Sequence, residues 1–195
     1  MDNKIQIILA SSSPRRKELL ELITKKFKII PSTEKEVLDE KLSIEEQIKQ
    51  LAYMKAKNVF EKTSGNRIVI GADTVVTKNG KIYGKPKNEL QAKEMIKELL
   101  QGNKMHYIIT GLSVLIKIND KYTEYKTYDK VKIYLKDILD DEIQKWIDTG
   151  KAMDKAGAYG IQDEFSVFID KIEGNYTTAV GLPIHKLYDI IKKYE

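Results

Sequence analysis

The chain has 195 residues, 42% of them apolar, which is enough for one hydrophobic core and excludes a disordered chain. It contains no cysteine, which rules out a disulfide framework, a thiolate zinc site and a cysteine nucleophile, and points to a reducing, cytoplasmic setting. Lys and Arg number 34 against 29 Asp and Glu, a net charge of +5 that suits an anionic partner such as a nucleotide.

In chain order, residues 4–10 read as a short buried strand, and the few apolar residues there are too short a run for a signal peptide or a membrane span. Ser13 as N-cap and Pro14 at the first helical position open a helix to about Thr24, followed by a strand over 27–31. Ser43 and Glu46 form a capping box before an amphipathic helix to about Lys62 that carries Ile44, Ile48, Leu51, Met54 and Val59. A strand begins at Arg67, and Asn79-Gly80 between Thr74–Thr77 and Lys81–Tyr83 predicts a two-residue hairpin turn, with Asp73 just ahead of the hairpin at a strand end. A helix opens at Asn88 and Gln91 and ends near Gly102. Residues 106–118 and 122–135 are long strands paired across Asn119-Asp120. A helix over 139–149 stops at Gly150, a glycine-containing loop covers Asp154–Gln162, a strand lies near 165–172, and a second loop through Gly181-Leu-Pro183 leads to a C-terminal helix. Alternating strands and helices give an α/β class with a mixed sheet and a single domain, with room for two lobes. Lysines such as Lys93, Lys97, Lys145, Lys192 and Lys193 read as solvated helix faces.

Three places carry candidate chemistry. Ser11-Ser-Ser-Pro-Arg-Arg16 joins a strand to a helix N-terminus, where unpaired N–H groups and the helix dipole favour phosphate; an ordinary cap followed by two surface arginines explains it about as well. There is no Walker loop. Gly71-Ala-Asp-Thr74 places a carboxylate among small residues, suited to a hard metal or a water, although a turn-forming Asp is the commoner case. Lys55 and Lys85 are candidates to complete a phosphate clamp, although each alone reads as a surface lysine. The 154–162 loop offers Gln162 to a base edge and Tyr159 to a ring, against a structural turn with a core tyrosine. Glu34, Glu36 and Asp39 form an acidic cluster that reads first as a solvated loop. His106 reads as a structural hydrogen-bonding residue.

The order of Ser11-x-Ser-Pro-Arg-Arg, Lys55-Ala, Gly71-Ala-Asp-Thr, Gly84-Lys-Pro, His106 with Thr110-Gly111, Asp154-Lys-Ala-Gly-Ala-Tyr-Gly-Ile-Gln and Gly181-Leu-Pro resembles the Maf family of nucleoside triphosphate pyrophosphatases over nearly the whole chain. The resemblance implies an elongated fold related to inosine triphosphate pyrophosphatases, with a mixed sheet, flanking helices and a central cleft. It also implies cleavage of a nucleoside triphosphate to the monophosphate and pyrophosphate with Mg²⁺ or Mn²⁺. Tyr159–Gln162 match the branch acting on dTTP and UTP. By position, Asp73 corresponds to the catalytic base and a metal ligand, and Arg15, Thr74 and Gln162 to substrate-selecting residues. Ser11, Ser13, Arg16, Lys55 and Lys85 correspond to phosphate contacts, and Glu36 to an acid near the metal. Three positions depart from the pattern: Lys35 where another acid is usual, Asp163 for a glycine and Val131 for a threonine. A homodimer is compatible with the chain, and a membrane partner is not expected. The competing reading is a nucleotide-sensing or nucleic-acid-binding regulator without turnover, since the family was first linked to septum formation; no basic, aromatic-interleaved stretch supports nucleic acid.

Overall fold

A computed structural model describes residues 5–34, 39 and 41–194. The elements in chain order are β1 (Gln6–Leu9), α1 (Pro14–Glu21), β2 (Phe27–Ile29), α2 (Ile44–Glu61), β3 (Arg67–Lys78), β4 (Lys81–Tyr83), α3 (Glu89–Leu100), β5 (Met105–Ile118), β6 (Lys121–Leu135), α4 (Asp140–Asp148), 3-10 turns at Ala156–Ala158 and Glu164–Phe168, β7 (Ile169–Glu173), α5 (Tyr176–Val180) and α6 (Ile184–Ile191). The strands hydrogen-bond in the order β2-β1-β3-β5-β6-β7, with β4 on β3. The mixed α/β sheet expected from the alternation is present. Among the described residues no helix is long and apolar enough to cross a membrane.

The chain divides into two compact units, Met1–Asp73 with Thr110–Asp129 and Gly181–Glu195, and Thr74–Ile109 with Lys130–Val180. Strands β3, β5 and β6 contribute to both. In the first unit β1 lies parallel to β2 and to β3, in register Leu9↔Ile29 and Leu9↔Ile70. Parallel neighbours need crossovers, and α1 and α2 supply them. Ile8, Ala10, Val69, Leu115, Ala56 and Val59 form the core beneath α2. That helix lies on the sheet backbone itself. A Cβ at Gly71 would meet the Ala52 carbonyl at 2.3 Å and the Ala56 nitrogen at 2.7 Å, and one at Gly111 would meet the Ile48 carbonyl at 2.4 Å. Glycine at these two positions is a requirement of close packing rather than of backbone conformation.

The second unit has its own core, in which α3 and α4 cover the sheet with Ile96, Leu99, Ile108, Ile133, Trp146 and Phe165. Both predicted hairpin turns form. Asn79 and Gly80 have φ of 51° and 78°, and Asn119 and Asp120 have 48° and 65°, the left-handed pair that such turns need. Two expectations fail. Residues 165–168 are a 3-10 turn and the strand starts only at Ile169, because Phe165 is drawn into contact with Trp146, Tyr159 and Phe168. Asp73 is not at a strand end: β3 runs unbroken from Arg67 to Lys78, since the small residues of Gly71-Ala-Asp-Thr74 serve helix packing and do not break the strand.

Candidate active site

The first unit assembles most of the predicted residues. Ala10 donates to the Ile70 carbonyl at 2.8 Å, so the chain leaves β1 alongside the strand that bears Asp73. Ser13 caps α1, with Pro14 at its first position, as expected. The buried Ser11 hydroxyl accepts from the Ser13 amide at 3.2 Å and from Arg16 Nη1 at 3.2 Å, while Arg16 Nε donates to the Gly181 carbonyl at 2.9 Å. Hydroxyls, a guanidinium and a helix N-terminus thus converge in one turn, an arrangement that binds anions by charge and by directed N–H groups. Arg15 is half-buried on the same helix.

Lys55 and Asp73 are brought together. Gly71 and Asp73 share one face of β3, because alternate strand residues do. Ala52 and Ala56 of α2 press on Gly71, and Lys55 reaches Asp73, its ammonium on Oδ1. The lysine side chain is 13% exposed and the aspartate 8%. The turn-forming aspartate considered above is therefore not what stands here. Asp73 is a buried carboxylate paired with the ammonium of a half-buried lysine. Thr74, the next residue on the strand, turns to the opposite face.

Glu34 accepts from Asn58 Nδ2 at 3.2 Å, and Asp39 accepts from the Lys41 amide at 3.0 Å. Glu36 and Lys35 lie outside the described residues. Among the described residues no group of three or more His, Asp or Glu side chains is gathered as a cation cage.

The second unit carries Lys85 and Gln162, both exposed, on two loops tied together by a bond from the Gly157 amide to the Gly84 carbonyl at 3.0 Å. Gly157 takes φ of 66°, and a Cβ there would meet the Val76 side chain at 2.9 Å, so the loop passes hard against β3. Ala158 also adopts a left-handed φ of 64°, uncommon for a residue with a side chain, and Trp146 Nε1 holds its carbonyl at 2.8 Å. Tyr159 is core: it is buried, and its hydroxyl lies 2.5 Å from Nε2 of the fully buried His106. His106 is thus the structural residue expected, and Tyr159 takes the core role that was the alternative to ring stacking. Burial, and then the charge of Lys78, push the histidine down to about 3.

Sequence reasoning overlooked Lys155. It is buried, and its ammonium donates to the Lys151 carbonyl at 2.5 Å and to Asp154 at 2.7 Å, and lies 3.3 Å from Asp163 Oδ2. Asp163, a departure from the Maf pattern, is accommodated by that charge and by Gly160, whose missing Cβ would lie 2.3 Å from Asp163 Oδ2. The signal was a lone lysine between two aspartates in a loop with glycines. The Gly181 carbonyl was also missed, because backbone acceptors leave no mark in a sequence.

Residues 6–194 match the family model described as Maf-like protein. The chain is 46% identical over 191 residues to the dTTP/UTP pyrophosphatase of Alkaliphilus metalliredigens, covering 97% of this chain and 96% of that one. It is 42% identical over 193 residues to the dTTP/UTP pyrophosphatase of Bacillus cereus, covering 99% and 92%. Among solved structures, the Staphylococcus aureus Ham1 protein superposes with a TM-score of 0.52 at 14% identity, covering 98% of this chain and all of that one, a likeness of fold.

Proposed function

This chain belongs to the Maf family, and from that premise we propose that it hydrolyses dTTP and UTP to the nucleoside monophosphate and pyrophosphate, with Asp73 as the general base. The observation that carries the reading is the pairing of Lys55 on α2 with Asp73 on the strand beside the Ser11–Arg16 turn. A carboxylate next to an anion-binding turn is what attack of water on a phosphoryl group requires: charge to hold the phosphates and a base to orient the nucleophile.

In this mechanism Ser11, Ser13, Arg16 and the N-terminus of α1 bind phosphate oxygens; the family resemblance gives Lys85 as a further phosphate contact. Lys55 fixes Asp73 through Oδ1, which directs Oδ2 to a water. Asp73 takes the proton as the water oxygen bonds to the α-phosphorus; the bond from that phosphorus to the bridging oxygen breaks, and pyrophosphate leaves. The family resemblance gives Arg15, Thr74 and Gln162 as the residues that select the nucleotide. A divalent cation belongs to this reading, because Mg²⁺ is commonly held by one or two carboxylates together with substrate phosphates and water, and Asp73 offers one carboxylate oxygen beyond the one that Lys55 holds. Asp73 would hold it, with Glu36 as the second acid. When bound, Mg²⁺ or Mn²⁺ would neutralise phosphate charge and polarise the phosphoryl group.

The test is to incubate the pure protein with dTTP, UTP, CTP, ATP and GTP and Mn²⁺ or Mg²⁺, and to assay pyrophosphate and orthophosphate separately. Pyrophosphate without orthophosphate, lost on chelation while the far-UV circular dichroism stays unchanged, is expected. Orthophosphate as the first product would refute cleavage between the α and β phosphates.

A further inference from the structure

The β6 strand leaves an edge open. Its partner β7 is in register only with Lys132–Leu135, so residues 121–129 have β5 on one side and, among the described residues, no strand on the other. Lys186 Nζ reaches the Tyr128 carbonyl at 2.6 Å, which places that carbonyl on the side away from β5. By alternation the backbone groups of Tyr122, Glu124 and Lys126 face the same open side. Tyr122 and Tyr128 are 49% and 36% exposed.

The sequence of this edge, Lys-Tyr-Thr-Glu-Tyr-Lys-Thr-Tyr-Asp, is a palindrome in which each charge is answered by its opposite. Laid antiparallel on itself about Tyr125, it sets Lys121 against Asp129, Tyr122 against Tyr128, Thr123 against Thr127 and Glu124 against Lys126. Aromatic pairs, Thr–Thr pairs and opposite charges are the combinations that stabilise neighbouring strands. The register is selected. Only residues of matching backbone direction can exchange hydrogen bonds, so the axis must fall on a residue, and centring it on Glu124 or Lys126 would oppose that charge to itself. Edge lysines ordinarily keep strands apart, but here each has an acidic counterpart.

We infer that this edge is a self-complementary docking strand, and that two copies of the chain join β6 to β6 about a two-fold axis at Tyr125. A two-fold interface demands one patch that complements itself, which is what the palindrome supplies. Lys186 occupies one lone pair of the Tyr128 carbonyl, and the Tyr122 amide of the second copy takes the other. Asp129 already lies near His185 at 3.6 Å and Lys186 at 3.4 Å, so the inner Glu124–Lys126 pairs decide the contact. Within one copy these two residues are 3.1 Å apart, and the second copy completes a square of alternating charge.

The experiment is sedimentation velocity over a concentration series with the wild type, Glu124→Lys, Lys126→Glu and the double exchange. The wild type is expected at twice the monomer mass. Each single variant, which places like charges together twice, is expected to raise the dissociation constant about tenfold or more, and the double exchange to restore it. A monomeric wild type, a dimer indifferent to the single changes, or a double variant as weak as either single would overturn the inference. If a single variant fails to fold, Tyr125→Cys decides. The chain has no other thiol, and a residue on the axis of a non-hydrogen-bonded pair lies within disulfide reach of its copy. Oxidation should link this variant much faster than Lys57→Cys on the exposed face of α2; equal rates would refute the pairing.

Discussion

The ammonium of Lys55 rests on Oδ1 of Asp73, and little of either side chain reaches solvent. Asp73→Asn keeps the shape and removes the charge, so turnover should fall by roughly 10²-fold or more, the scale of a lost general base, with the fold intact. Lys55→Met leaves a buried carboxylate without its partner and should cost about 3 kcal/mol of stability. The double variant should recover part of that stability and none of the activity. Chemical denaturation and steady-state kinetics on the three proteins separate the effects; near-normal turnover in Asp73→Asn would remove Asp73 from the mechanism.

Gly71→Ala should be severe for a reason unrelated to chemistry. Its new methyl group would lie 2.3 Å from a carbonyl of α2, so helix and sheet must part. A loss of ~3 kcal/mol is expected, and at about 2–4 °C per kcal/mol for a chain of this size the melting temperature should fall several degrees. Activity should fall with it, because the displaced helix carries Lys55. An unchanged melting temperature would show that α2 does not bear on Gly71.

His106 gives the fold a pH dependence. The folded protein holds it neutral down to about 3, whereas the unfolded chain protonates near 6.5. Between these values the unfolded state binds the extra proton, so stability is fully present above about 6.5 and is lost as the pH falls toward 3, by up to about 1.4 kcal/mol per pH unit. His106→Gln should flatten this part of the curve. Urea titrations at pH 7, 6, 5 and 4 test it, and identical slopes in the two proteins would show that other groups carry the acid sensitivity.

Gln162 is exposed at the end of a loop held by Lys155, Trp146 and Gly84. Its amide can complement the adjacent donor and acceptor of uracil or thymine, and a mismatched base leaves polar groups unpaired at about 1–3 kcal/mol each. Thus dTTP and UTP should exceed CTP in kcat/KM by roughly tenfold or more, and Gln162→Ala should narrow the gap. Competition kinetics with all five nucleotides measure it. If CTP or a purine nucleotide is preferred, Gln162 does not read the base.

Local signals were legible and long-range ones were not. Asn79-Gly80 and Asn119-Asp120 announced their hairpins, and Ser13-Pro14 its helix start, because each is decided by a few adjacent dihedral angles. Tertiary packing decided the rest. Phe165 had strand character by composition, but Trp146, on the preceding helix α4, packs against it and draws it into the turn. Gly71-Ala-Asp-Thr74 looked like a strand terminus because a glycine that admits a helix and one that ends a strand are written with the same letter. The Lys55–Asp73 pair had a faint signature: Ala52, Lys55 and Ala56 share a helix face, as Gly71 and Asp73 share a strand face.

The bond from Arg16 to the Gly181 carbonyl joins positions 165 residues apart, so the Ser11–Arg16 turn is braced only once the C-terminal segment is in place. During synthesis the N-terminal strand and helix emerge long before their brace exists, and closing so long a loop carries its own entropic cost. A growing chain therefore carries the hydroxyls and the guanidinium without the means to hold them in place. Partial products that stop before Gly181 should be poor nucleotide binders even where their local structure has formed, which would keep unfinished chains from sequestering a metabolite they cannot process.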